Sequence, residues 1–244
     1  GRTGPLLADA AKPKQFQEAF TLQQAVSQTY CQLSHSQIQG WKCALPVGEK
    51  QILGPLFSDA CIDAADICPI WPSSKGLARV EPELVFTLAQ DLPNRSTPYT
   101  NAEIDAAIGS TRLALELIQS RYDNPKDATY FEALADGLVN QGLYLGPAIS
   151  VANASELSQF TLTVTLDDGN NTVLEKAAEH PNIDPRAGLY WLVNFLSSQG
   201  LTLSAGQHVI TGSYAGVLDL PFDTHTEIRF GELGIIATRF SAKS

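Results

Sequence analysis

The segment from Leu77 to Leu88 most constrains what this chain can fold into. It reads as an almost uninterrupted apolar strand, Leu-Ala-Arg-Val-Glu-Pro-Glu-Leu-Val-Phe-Thr-Leu, with Glu81 and Glu83 set into it. Side chains two apart on a strand leave the same face, so the two carboxylates point the same way. Such a run fits a strand covered on both faces, where a charged side chain needs a partner. A third carboxylate, Glu116, lies in the equally apolar Leu113-Ala114-Leu115-Glu116-Leu117-Ile118.

Two arrangements are open for these residues. If the three carboxylates converge at about 4 Å, each pair repels by roughly 4 kcal/mol at an effective dielectric near 20. A divalent cation resolves that repulsion, and an all-oxygen set favours Mg²⁺ or Mn²⁺ over zinc. Alternatively Glu81 and Glu83 line a solvent-facing strand, and Glu116 pairs with Arg112 or Arg121.

Around this feature the chain reads as β-rich α+β. A helix is expected over 14–35, with Leu22, Ala25, Val26 and Leu33 on one face and a capping box at Thr21 and Gln24. An extended segment follows from Ile38 to Leu45, then a loop at Pro46-Val47-Gly48. Asn101 is expected to cap a helix running to Gly109, and Arg112–Ser120 reads as a buried strand. Helix is expected over Tyr130–Val139 and extension over Gly142–Leu145. Phe160–Leu166 followed by Asp167-Asp168-Gly169-Asn170-Asn171 signals a hairpin. Asp184-Pro185 opens a helix that Gly200 stops, and short strands recur to Phe240. The expected division is a helical N-terminal segment, 1–45, and a catalytic domain, 46–244.

Composition narrows the function classes. The net charge of -10 without a basic cluster argues against a nucleic-acid partner. No apolar run reaches the ~20 residues that span a bilayer. The four cysteines lack metal-finger spacing and read as free thiols. The four histidines are scattered. Leu6–Ala11 carries a faint trace of a signal-cleavage region without its basic and apolar parts. The expected location is therefore the cytoplasm, with processed export left open. Lys42, beside Trp41 in a short apolar segment, is a candidate proton-transfer group whose burial would lower its pKa. Thr211-Gly212-Ser213, after Val209-Ile210, either cradles a carboxylate or forms an ordinary turn. No nucleophile elbow, P-loop or dinucleotide fingerprint is present.

These pieces resemble the fumarylacetoacetate hydrolase superfamily, in its branch of 2-keto-4-pentenoate hydratases and 4-oxalocrotonate decarboxylases. The matching segments are Gly40-Trp41-Lys42, Gly54-Pro55-Leu56-Phe57-Ser58-Asp59 and Arg79-Val80-Glu81-Pro82-Glu83. Leu115-Glu116, Ser120-Arg121, Ala135-Asp136, Gly142-Leu143-Tyr144 and Ile210-Thr211-Gly212-Ser213 follow in order. The resemblance implies a curled, barrel-like mixed sheet behind a small helical N-terminal piece. It implies Mg²⁺ or Mn²⁺ on Glu81, Glu83 and Glu116, with Lys42 as acid/base and Thr211, Ser213 and Arg121 toward the substrate. The substrate implied is a small 2-oxo acid or 2-hydroxydienoate of aromatic-compound catabolism, which chelates the metal and reacts through a stabilised enolate. Water addition is the leading reaction; decarboxylation, acylpyruvate hydrolysis or a weakened binding paralogue are the alternatives. A homo-oligomer is expected. One departure stands out. The family's acidic residue two positions before the glycine matching Gly54 is here Ile52, in a shortened loop, which leaves Glu49 as the acidic candidate.

Overall fold

The computed structural model describes residues 3–150, 157–167 and 171–243. It contains two mixed sheets and four α-helices among the described residues. The larger sheet has the order β2-β1-β10-β5-β6-β7-β3, with β11 also paired to β5. Its strands are β1 (Ile38–Val47), β2 (Lys50–Phe57), β3 (Cys61–Asp63), β5 (Ala78–Leu88), β6 (Ile108–Ile118), β7 (Asn140–Ile149), β10 (His208–Ile210) and β11 (Leu218–Leu220). The sheet curls until β2 comes back beside β7. The smaller sheet runs β4-β13-β12-β8-β9, from β4 (Ile67–Ile70), β8 (Gln159–Leu166), β9 (Asn171–Glu179), β12 (His225–Phe230) and β13 (Ile235–Ala242).

Register explains why the inner stretches of β5 and β6 are so apolar. Val85 is opposite Ile210, and Ile210 is opposite Lys42. Glu83 is opposite Ala114, and Glu81 opposite Glu116. Paired residues share a face, so these side chains line the concave side. Its deeper part is filled by Leu56, Val85, Ala114, Leu143, Leu145 and Ile210. On the convex side Val80, Leu84, Leu113, Leu115 and Leu117 pack on the smaller sheet through residues such as Leu162, Ile228 and Phe240. Farther along the same side, Trp41, Cys43, Phe86 and Val209 meet Phe20 of α1 (Phe16–Ser34) and Leu189 and Leu192 of α4 (Ala187–Ser198). A strand buried on both faces has no room for polar alternation. Glu81, Glu83 and Glu116 break the apolar pattern of β5 and β6 at the mouth of the curl.

Several local expectations are corrected. Helix α1 buries Ala19, Phe20, Gln23 and Ser27, not the Leu22, Ala25, Val26 and Leu33 face; Leu33 is 79% exposed. Gln23 takes that place because its amide donates to the Leu53 and Leu134 carbonyls. Thr21 and Gln24 lie inside the helix and cap nothing. In α2 (Asn101–Ala107) the cap is Thr100, which forms a capping box with Glu103. A second box, Thr129 with Glu132, opens α3 (Tyr130–Ala135), which ends earlier than expected. Strand β1 absorbs Pro46 and Val47 and runs across the 45/46 boundary as an inner strand of the large sheet. The hairpin of β8 and β9 forms as read, though residues 168–170 of its turn lie outside the described residues. All four cysteines are free, and among the described residues no helix is long and apolar enough to cross a membrane.

Candidate metal centre

Glu81, Glu83 and Glu116 each offer an oxygen, and these oxygens lie within 4.8 Å of one another. Glu83 and Glu116 are only 2% and 1% exposed. The solvent-facing alternative is thereby excluded. Neither arginine offered as a partner for Glu116 reaches it: Arg112 pairs with Asp63, and Arg121 with Asp136. The partner is Lys42, whose Nζ donates to Glu116 Oε1 at 2.6 Å and to the Leu138 carbonyl at 3.1 Å.

Burial and the neighbouring Glu116 push the Glu83 carboxyl well above the usual carboxylate range, and burial raises Glu81 in the same direction. For Lys42 the sequence expectation is reversed. Burial works to lower its pKa, but the Glu116, Glu83 and Glu81 carboxylates outweigh burial and hold it above the ordinary lysine value.

The donor set fits a divalent cation on charge. With all three carboxylates ionised, they and one ammonium leave two negative charges in a largely buried cleft, which one doubly charged ion neutralises. All three ligating groups are hard carboxylate oxygens, suited to Mg²⁺ or Mn²⁺.

Sequence reading missed the groups that aim these side chains. The Gly212 amide donates to Glu83 Oε2 at 2.8 Å, and Asn140 Nδ2 donates to Glu116 Oε1 at 2.9 Å. Glu116 thus has one oxygen committed to Lys42 and Asn140 and the other left for a metal. Leu138 reaches Lys42 because the chain after α3 is left-handed at Gly137, Leu138 and Val139, with φ of 81°, 53° and 60°. A β-branched residue such as Val139 is strained there.

The expected substrate groups are only partly brought to the site. The Arg121 guanidinium grips that left-handed turn: it donates to the Asp136 carboxylate, the Asp136 carbonyl and the Asn140 carbonyl. Three of its five N–H donors are used there, and the side chain also lines the cavity beside Trp71 and Gln119. The Thr211 hydroxyl is buried and donates to the Pro185 carbonyl at 2.7 Å. Ser213 is only partly buried, and its hydroxyl makes looser bonds to the Gly216 and Pro82 carbonyls, 3.2 and 3.4 Å. Glu49 is not brought in at all. It sits exposed in the turn between β1 and β2, seven residues from Lys42, which is roughly 20 Å at about 3.3 Å per strand residue. Ile52 is opposite Ala44, while Lys42 is opposite Gly54, so Ile52 shares the face of Lys42 as its diagonal neighbour. A cavity of about 850 Å³ lies between Tyr30, Asp59, Trp71, Gln119, Arg121 and Lys243, and none of the three carboxylates lines it.

No family model matches the chain. It is 27% identical over 169 residues to a 2-oxo-hept-4-ene-1,7-dioate hydratase of Escherichia coli, a match covering 66% of this chain. It spans only 61% of the length of that relative. Its fold is similar to that of 4-oxalocrotonate decarboxylase from Pseudomonas putida G7, solved with magnesium and adipate: TM-score 0.77 at 18% identity, over 98% of this chain and 91% of the other. It is also similar to fumarylpyruvate hydrolase from Pseudomonas aeruginosa, solved with Mn²⁺ and pyruvate: TM-score 0.53 at 14% identity, over 80% of each chain.

Proposed function

We propose that this chain, which belongs to the fumarylacetoacetate hydrolase superfamily, is a hydratase-like lyase that uses Mg²⁺ or Mn²⁺ to act on a small 2-oxo acid or 2-hydroxydienoate. The observation that carries the reading is the charge balance of the cleft: three convergent carboxylates against one lysine. Glu81, Glu83 and Glu116 hold the ion. When bound, it supplies Lewis-acid stabilisation of the negative charge that an enolate-like transition state develops. The other roles belong to the chain. Gly212 and Asn140 orient the ligating carboxylates. The deeper apolar plug keeps water from the inner side of the site. Lys42 stands beside Glu116, where it can hold or return a proton at the substrate carbon next to the 2-oxo group. Ser213, half-open to solvent at the turn that carries Gly212, faces the substrate carboxylate.

The test is ligand binding with and without metal. Oxalate and pyruvate offer the chelating oxygen pair of a 2-oxo acid, and calorimetry is expected to show both binding with Mg²⁺ and neither after chelation. Equal heats in the two conditions would remove the mechanism. A substrate panel with product identification then fixes the reaction.

A second reading, a catalytically weakened paralogue that keeps metal-dependent binding of 2-oxo acids, is favoured by Ile52. An aliphatic side chain stands diagonal to Lys42 where water addition needs an acid, and general acid–base help is typically worth about 10² to 10⁴ in rate. Hydration of 2-hydroxypentadienoate is therefore expected to be weak, and Ile52→Asp is expected to raise it. Vigorous hydration by the unaltered protein, or a further loss in Ile52→Asp with metal binding intact, would show that position 52 plays no such part.

A further inference from the structure

We infer that His180 is a positioning residue for the metal centre, acting through the Thr211–Gly212 turn on Glu83. The inference rests on the metal reading of that cleft. His180 follows β9, where its backbone N–H donates to the Ser158 carbonyl, and it is 3% exposed. Its ring is fixed on three sides. Nδ1 lies 3.1 Å from the Asn182 amide nitrogen and 2.8 Å from the Asn182 carbonyl. The ring edge meets Tyr214 at a centroid distance of 5.1 Å. Nε2 lies 3.4 Å from Thr211 Oγ1.

The Thr211 hydroxyl proton is already given to the Pro185 carbonyl, so a bond to His180 takes the Nε2–H tautomer, in which Nδ1 accepts from the Asn182 N–H. The ring therefore ties Thr211 from one side while Pro185 ties it from the other. The next residue is the one that matters chemically. Gly212 has φ of +136°, and a Cβ there would stand 2.9 Å from Pro181 Cγ and 3.4 Å from His180 Nε2. The His180-Pro181 wall thus leaves no room for a side chain at the residue whose amide donates to Glu83 Oε2. Glu83 is buried and has few ways to be oriented. Its direction is set by this amide, and the amide is set by the wall behind it. Sequence spacing gave no hint of this, because residues 180 and 211 are distant in the chain.

Groups that orient a metal ligand typically change affinity by about tenfold to a hundredfold when removed. His180→Phe keeps a ring of similar size against Tyr214 but cannot donate to Thr211. His180→Gln returns an N–H near the Nε2 position. Thr211→Val removes the acceptor. Mn²⁺ titration by calorimetry, with thermal melts on the same samples, is the experiment. His180→Phe and Thr211→Val are each expected to weaken Mn²⁺ binding by about tenfold, the double variant no more than either alone, and His180→Gln to recover most of the loss. Both His180 variants are expected to melt lower by similar amounts, so that affinity does not follow stability. Should His180→Phe fail to fold, Thr211→Val alone carries the comparison. Mn²⁺ affinity unchanged in the variants overturns the inference while leaving the metal centre standing. An unaltered protein that binds no Mn²⁺ overturns both.

Discussion

Glu83→Gln is expected to weaken Mn²⁺ binding by more than about a hundredfold, beyond the usual effect of changing a ligand's supporting group, and to abolish metal-dependent turnover. The variant is close to isosteric, and its side-chain oxygen can still accept from the Gly212 amide. What it loses is one of the charges that the cation offsets. In the metal-free protein the same change works the other way. A buried carboxylate within 4.8 Å of two others is repelled by about 3–4 kcal/mol per pair at an effective dielectric near 20, partly relieved by the proton that its raised pKa retains. Glu83→Gln should therefore melt higher than the unaltered protein in chelator and lose the rise in Tm that Mn²⁺ gives. The pH dependence follows in sign. A Glu whose folded pKa is raised binds its proton more tightly folded than unfolded, so metal-free stability falls as pH rises above the ordinary carboxylate range. Metal must displace that proton, so Mn²⁺ affinity falls as pH falls. Unchanged affinity in Glu83→Gln would exclude Glu83 as a ligand.

Lys42→Met is expected to separate binding from chemistry. General acid–base groups contribute about 10² to 10⁴ in rate, and a loss in kcat of that order is expected. Methionine retains the apolar stem packed in β1, so the fold is kept. Removing the ammonium at 2.6 Å from Glu116 leaves the three carboxylates without a compensating charge. The metal-free variant should melt lower, and Mn²⁺ should bind at least as tightly as before and restore more stability than it does in the unaltered protein. The two substitutions thus move metal-free stability in opposite directions while both suppress turnover. A parallel fall of Mn²⁺ affinity and kcat in Lys42→Met would mean that the lysine serves the metal and not the proton.

The parts of this site that were legible in the sequence are those that violate a local pattern. Glu81, Glu83 and Glu116 interrupt apolar strands, and burial makes such an interruption costly enough to require a reason. Residue type and strand period were sufficient to bring Glu81 and Glu83 to one face and to single out Glu116 and Lys42, and the resemblance joined the four into one site. The supporting groups were not legible, because each is ordinary in its own segment. Gly212 acts through a backbone amide, Asn140 lies at the start of a strand, and His180 is one of four scattered histidines. Arg121 was placed toward the substrate by the resemblance alone; the structure gives three of its five N–H groups to the turn at residues 136–140, a use that no local pattern announces. Glu49 was drawn toward the site by its charge alone, and strand length carries it away. The buried face of α1 was missed because Gln23 and Ser27 occupy it; their hydrogen bonds to carbonyls replace the apolar contact that periodicity looks for.

The left-handed turn at Leu138 and Val139 ties the protein's thermal tolerance to its chemistry. Conformations of this kind cost on the order of 1–3 kcal/mol each in residues with a Cβ, and a glycine at 139 would adopt the same φ freely. Selection for heat resistance alone would favour that exchange. It would also loosen the segment that carries the Leu138 carbonyl to Lys42 and Asn140 to Glu116. A Val139→Gly exchange therefore sets two effects against each other at one turn, relief of backbone strain and loosening of the contacts that hold Lys42 and Glu116.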